Sequence, residues 1–104
     1  MFISEINFDQ FCDAFYPELV NQFSPAGKRA LFDYLEQYEE KTKKEIELNT
    51  YAIRGKFTEY DNLQELQHDY KDIGSIEDLE KETTVIRIEG TDGFIITDYW
   101  KKGL

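Results

Sequence analysis

The strongest constraint on the fold lies late in the chain, where residues 83–89 (TTVIRIE) and 94–100 (FIITDYW) flank Gly90-Thr91-Asp92-Gly93. Two runs rich in β-branched and aromatic residues, joined by a turn-forming tetrapeptide, predict an antiparallel hairpin. An isolated hairpin is at best marginally stable in water, so this one needs a third strand, covering helices, or both.

Helix signals occupy most of what precedes it. Phe8, Phe11, Cys12 and Phe15 recur at i, i+3, i+4 and i+7 behind Asn7, a suitable N-cap. Pro17 ends that helix or begins a short second one carrying Leu19, Val20 and Phe23. Ser24-Pro25 is the clearest start: Ser24 caps, and Pro25 stands at the first helical position, where its missing N–H costs nothing. The helix should run to about Lys44 and bury Leu31, Phe32, Leu35 and Tyr38. Asp33, Glu36, Gln37 and Glu40 then lie outside, and Glu39/Lys43 and Glu40/Lys44 pair at i,i+4.

From Glu45 the period shortens. Ile46, Leu48, Thr50 and Ala52 share one side of an extended chain and Tyr51, Ile53, Gly55 and Phe57 the other, which predicts a strand covered on both faces, central rather than peripheral in its sheet. Gly55 would mark a bulge or a close backbone approach. Asp61 with Gln64 suggests a capping box for a helix from Asn62, and Ser75 with Asp78 caps a shorter one burying Ile76 and Leu79. The order ααβααββ predicts an α+β fold, a small three-stranded antiparallel sheet with helices packed on it. We read one domain: residues 1–23 a helical lid, 24–100 the core, and 101–104 a tail rooted by Tyr99 and Trp100.

Composition narrows the function. The 104 residues carry a formal charge of −10, with eight Phe, seven Tyr and one Trp, too much apolar material for a disordered acidic tail. Such a charge repels nucleic acid and anionic membranes and favours basic protein surfaces. A single cysteine, Cys12, allows no internal disulfide and reads as a structural thiol. The N-terminus has no signal-peptide pattern and no run approaches a membrane span, which predicts a protein of a reducing cytoplasm.

Most of the charge is concentrated in residues 59–82, where nine carboxylates face two lysines, a net −7. On a helix beginning at Asn62, Asp61, Glu65, Asp69 and Asp72 fall within roughly 80° of one another, with Leu63, Leu66 and Tyr70 opposite. Like charges at that spacing cost about 0.2 to 0.5 kcal/mol per pair. A basic partner would offset this cost; otherwise the stretch is the solvated side of an acidic protein. For chemistry, His68 with Asp69 and Asp72 is the one metal-like spacing, and a single helix supplies too few converging ligands, so no metal or cofactor is expected. Phosphate-binding glycine loops, nucleophile elbows and cysteine pairs are absent from the sequence. Catalysis is therefore the minority reading, and an enzyme would need a cleft around His68 and Asp98.

The pattern Glu59-Tyr60, Asn62-Leu63, Gln67, Tyr70, Ser75 to Glu80 (SIEDLE), Thr83 to Ile86 (TTVI) and Phe94-Ile95-Ile96, with Phe23-Ser24 to Leu35-Glu36 and Glu45 to Leu48 upstream, resembles a family of small acidic bacteriophage and prophage proteins. The resemblance covers roughly residues 23–98. It implies a phage gene acting in a bacterial cytoplasm, and proteins of that kind are similar to anti-restriction and anti-CRISPR inhibitors. The expectation is a non-enzymatic inhibitor of a host defence nuclease or nucleic-acid-binding effector, acting as a nucleic-acid mimic. Its expected interface comprises Asp61, Glu65, Asp69, Asp72, Glu77, Asp78 and Glu80, with Tyr60 and Tyr70 as apolar anchors. An immunity or antitoxin protein covering a basic nuclease toxin has the same physics and stays open, as does a small metal-dependent enzyme. Self-association, if any, would use the free edge of the hairpin.

Overall fold

A computed structural model of the chain describes residues 1–16 and 23–97. The elements are a 3-10 turn (Ile3–Glu5), α1 (Phe8–Ala14), α2 (Pro25–Thr42), α3 (Thr50–Lys56), β1 (Phe57–Tyr60), α4 (Leu63–Asp69), α5 (Ile76–Glu82), β2 (Val85–Arg87) and β3 (Phe94–Thr97). The class is α+β, with helices packed on a three-stranded antiparallel sheet of order β1-β3-β2.

The hairpin forms as its turn predicts: β2 and β3 pair in the register Val85↔Ile96, Ile86↔Ile95, Arg87↔Phe94. Gly90 takes φ +80, a conformation costly for a side-chain-bearing residue, and Thr91 Oγ1 ties the turn by accepting from Gly93 N and donating to Ile88 O. A Cβ on Gly93 would crowd the carbonyl of Tyr60, so β1 can approach closely there.

Because side chains alternate, the sheet separates two cores. Phe57, Ile86, Ile88 and Ile95 face a layer built from Ile3, Phe11, Phe15, Leu31, Phe32, Leu35 and Ile53. Tyr60, Phe94 and Ile96 face Leu66, Ile73 and Leu79 on the other side. The strand covered on both faces is therefore β3, all four of whose residues are buried.

Residues 45–57, expected to be that strand, are not. Only Phe57 belongs to the sheet, and β1 lies at its edge. Asn49 Oδ1 accepts from Ala52 N at 3.1 Å and starts α3, which buries Ile53 alone and leaves Gly55 in open space rather than at a bulge. Residues 46–48 are extended, but they pair with the N-terminus: Ile3 N donates to Ile46 O and Leu48 N to Met1 O. The N-terminal segment packs into the core, with Ile3 and Phe11 fully buried. Residues 17–22 and 98–104, which hold the expectations for Pro17, Leu19, Val20, Asp98, Tyr99, Trp100 and the tail, lie outside the described residues.

Ser24 caps α2 as expected, and the helix closes slightly early at Lys43, whose φ of 60 places it in the left-handed region with its N–H donating to Glu39 O. Tyr38 is 45% exposed, while Lys28 and Glu39 are buried. At about 100° per residue, Lys28, Leu31, Phe32, Leu35 and Glu39 span roughly 100° and Tyr38 falls just outside that arc. Glu39 thus faces inward rather than toward Lys43; the ion pair along α2 among the described residues is Arg29–Asp33 at 3.1 Å.

α2 is joined to the sheet through one carboxylate. Glu59 Oε1, on β1, accepts from Ser24 N at 2.9 Å, and Ser24 Oγ accepts from Gly27 N at 2.9 Å. A Cβ at Gly27 would occupy the position of the Glu59 carboxylate. Gly27→Ala should therefore cost the native chain the bond from Ser24 N, about 1 kcal/mol, which offsets the gain of similar size from alanine as the better helix former and leaves little net change. In a Glu59→Ala background there is no such bond to lose, so the same substitution should stabilise by about 1 kcal/mol. Urea denaturation of the four proteins of this cycle measures both.

Candidate functional site

The acidic stretch folds over one face of the sheet. Asn62 Oδ1 accepts from Glu65 N at 2.8 Å, so Asn62, not Asp61, is the N-cap of α4. The reciprocal bond runs from Asp61 N to Glu65 Oε1 at 3.1 Å, in place of the box expected with Gln64. Leu66 is fully buried, and Leu63 and Tyr70 pack against the same core. The helix stops at Asp69, and the chain turns at Tyr70 (φ −132, ψ 81), where Gln67 Nε2 donates to Ile73 O at 2.8 Å.

This geometry revises the carboxylate row. Of Asp61, Glu65, Asp69 and Asp72, only Glu65 and Asp69 are on the helix; Asp61 precedes the cap and Asp72 lies in the following turn. All four are exposed. α5 adds Glu77, Asp78, Glu80 and Glu82, also exposed, around a fully buried Leu79, with Ser75 Oγ accepting from Asp78 N. The acidic residues come from two short helices and the segments around them, each held through its apolar side.

Arg87 is the cation paired with this face among the described residues. It points from β2 to the α4–α5 side of the sheet, with Nη2 at 3.5 Å from Glu80 Oε1 and 3.9 Å from Glu77 Oε2. All three side chains are largely in water, so these pairs contribute little stability.

Of the two expected aromatic anchors, Tyr60 is placed otherwise than expected. Tyr60 is only 6% exposed, a core residue, and its hydroxyl donates to Asp69 Oδ2 at 2.9 Å. Tyr70 is half-buried against the same core. Tyr60 thus holds a carboxylate rather than presenting its ring to a partner. His68 is exposed, and among the described residues no three His, Cys, Asp or Glu side chains gather to hold a metal ion. No helix among the described residues is long and apolar enough to cross a membrane.

Two concavities were not foreseen from the sequence. A groove of about 450 Å³ is lined by Tyr34, Tyr38, Ile46, Ile53 and Phe57 among others. A second, of about 470 Å³, is walled by Ser4 and by Asp33, Glu36, Gln37, Glu39 and Glu40 of α2. Apart from Glu39, its α2 residues are those on the outward side of the helix.

Cys12 is partly buried on α1. Burial pushes its thiol up from the ordinary value, with Lys28 opposing and Asp9 and Asp13 reinforcing the shift. A raised folded-state pKa means less thiolate at a given pH, the reverse of an activated nucleophile. Alkylation of the native protein by iodoacetamide at pH 8 should be slower than that of the urea-unfolded chain, followed by mass spectrometry; equal rates would contradict the shielding.

No family model, curated protein or solved structure matches the chain.

Proposed function

We propose that this protein is a non-enzymatic acidic binding module that presents its α4–α5 side to a basic protein surface. The observation that carries the reading is the exposure of Asp61, Glu65, Asp69, Asp72, Glu77, Asp78 and Glu80 on elements anchored to a common core, with Arg87 as their paired cation. Carboxylates fixed on a folded frame lose little freedom when a partner arrives, and a basic nucleic-acid-binding groove attracts them as it attracts phosphates. The partner class that fits is a nuclease or nucleic-acid-binding effector, with the module excluding nucleic acid from the groove. On the resemblance to small acidic phage proteins alone, the partner would be a host defence protein in a bacterial cytoplasm and the module its anti-restriction or anti-CRISPR inhibitor.

The discriminating variant combines Asp61→Asn, Glu65→Gln, Asp69→Asn and Asp72→Asn. Each replacement keeps an acceptor oxygen, so the bonds from Asp61 N and Tyr60 OH survive and the circular dichroism spectrum should not change. A basic partner retained from bacterial lysate at low salt by the native protein should be released at high salt. Retention by the variant should fall, with a shallower dependence on salt. Undiminished, equally salt-sensitive capture by the variant would remove this face from the interface.

A further inference from the structure

The sheet ends on a strand whose outer side is unused. Ile88 N donates to Gly93 O at 3.0 Å, and β2 runs against β3 in the register Ile86↔Ile95. Bonded pairs alternate along an antiparallel ladder, so Ile86 and Ile88 turn their main-chain groups toward β3 while Val85 and Arg87 turn theirs away. Val85 and Arg87 each present an N–H and a C=O at the free edge, and no bond to these groups occurs among the described residues. Proteins commonly blunt such an edge with a charged side chain. Arg87 brings the charge but not the cover, because its guanidinium is drawn over α5, 3.5 Å from Glu80 and 3.9 Å from Glu77.

The space beside the edge is shaped as well. A third hollow, of about 340 Å³, opens between α2 and β2, with Ala26, Ala30, Tyr34 and Ile86 in its lining. Two alanines one turn apart on α2 leave it open. A strand laid along β2 would put the side chain opposite Ile86 on the face that Ile86 occupies, at this hollow, and its two neighbours on the α4–α5 side.

We propose that the free edge of β2 is a strand-addition site, which takes an extended segment of a partner protein with an aliphatic residue opposite Ile86. Alternating main-chain donors and acceptors are matched by another extended backbone; its bonds supply the affinity and the hollow selects the side chain. A second copy of this chain fits less well. Two chains of charge −10 repel, and pairing β2 with its copy in antiparallel fashion would set two acidic faces side by side. The edge adjoins the α4–α5 face but does not rely on it.

The test is an NMR titration of the full-length protein, isotopically labelled, with the neutral peptide acetyl-Thr-Thr-Ile-Thr-Thr-amide, followed at the backbone amides of β2. In the free protein the Val85 and Arg87 amides should exchange with deuterium faster than those of Ile86 and Ile88, and on titration they should move saturably. N-methylating both threonines that flank the isoleucine removes the N–H groups that face β2 and should weaken binding at least about fivefold, the equivalent of one hydrogen bond. N-methylating the isoleucine, whose N–H faces away, should leave binding intact. Ala26→Leu, at an exposed position of α2, should weaken the peptide by filling the hollow without changing the circular dichroism spectrum. The variant with Asp61, Glu65, Asp69 and Asp72 neutralised should bind the peptide as the native protein does, so the edge and the acidic face are read separately. Slow exchange of Val85 and Arg87 in the free monomer, no saturable shift, equal loss from either N-methylated peptide, undiminished binding by Ala26→Leu, or loss of binding in the neutralised variant would overturn the proposal. So would protection of Val85 and Arg87 that rises with protein concentration alongside a dimer in sedimentation, which would give the edge to a second copy.

Discussion

The longest helix begins on a carboxylate of the sheet, and that contact fixes how the two are arranged. Glu59 belongs to an edge strand of four residues, and its Oε1 takes the N–H of Ser24 thirty-five residues away. The contact satisfies one of the donors that a helix start leaves open and puts negative charge at the positive end of the dipole. It requires that position 27 have no side chain, and the sequence has glycine there. With α2 fixed to β1, the stripe of Leu31, Phe32 and Leu35 is held in the core with Ile86 and Ile95, and Phe11 and Phe15 close over it.

The opposite face is assembled by the same alternation. Glu59 points toward α2, so Tyr60 must point toward α4, and its hydroxyl holds Asp69. Phe94 and Ile96 lie beside it and receive Leu66 and Leu79. The helical core and the acidic surface are thus two sides of one small partition. A change of register in β1 by a single residue would exchange them, putting Glu59 under the acidic helices and Tyr60 under α2.

Much of this was legible where a side chain determines local geometry. Asn7, Ser24 and Ser75 cap the helices they were expected to cap, and the Gly-Thr-Asp-Gly turn made its hairpin. The failures arose where two periodicities fit the same residues. Residues 46–57 carry apolar groups that satisfy a strand on both faces, but Ile53 alone satisfies a one-turn apolar face, and the Asn49 cap decides for helix. Asp61 and Asn62 are both good caps; Asn62 wins because Glu65 can answer from one turn on, returning its carboxylate to Asp61 N. Tyr38 fits the stripe of α2 by spacing, yet three-dimensional packing centres that stripe nearer Glu39, which a residue-type rule would never place inside.

The acidic site was legible for a different reason. A carboxylate is expensive to bury, so a stretch with nine of them exposes most of them whatever the exact helix boundaries, and losing Asp61 and Asp72 from α4 left them at the surface. Geometry was misread while exposure was not. The converse holds at Glu39, where one carboxylate departs from that rule and does so with an unanswered oxygen. Exposed acids record what a chain avoids, and sixteen aromatic residues in so charged a protein can hide the rest of the sequence without their help. A buried acid has to be held there by something that gains from it. Part of that gain is visible in the bond to Ile46 N, which secures the segment leading to the N-terminal pairing. That bond uses one oxygen, and the charge makes it stronger than the one a glutamine amide oxygen would accept.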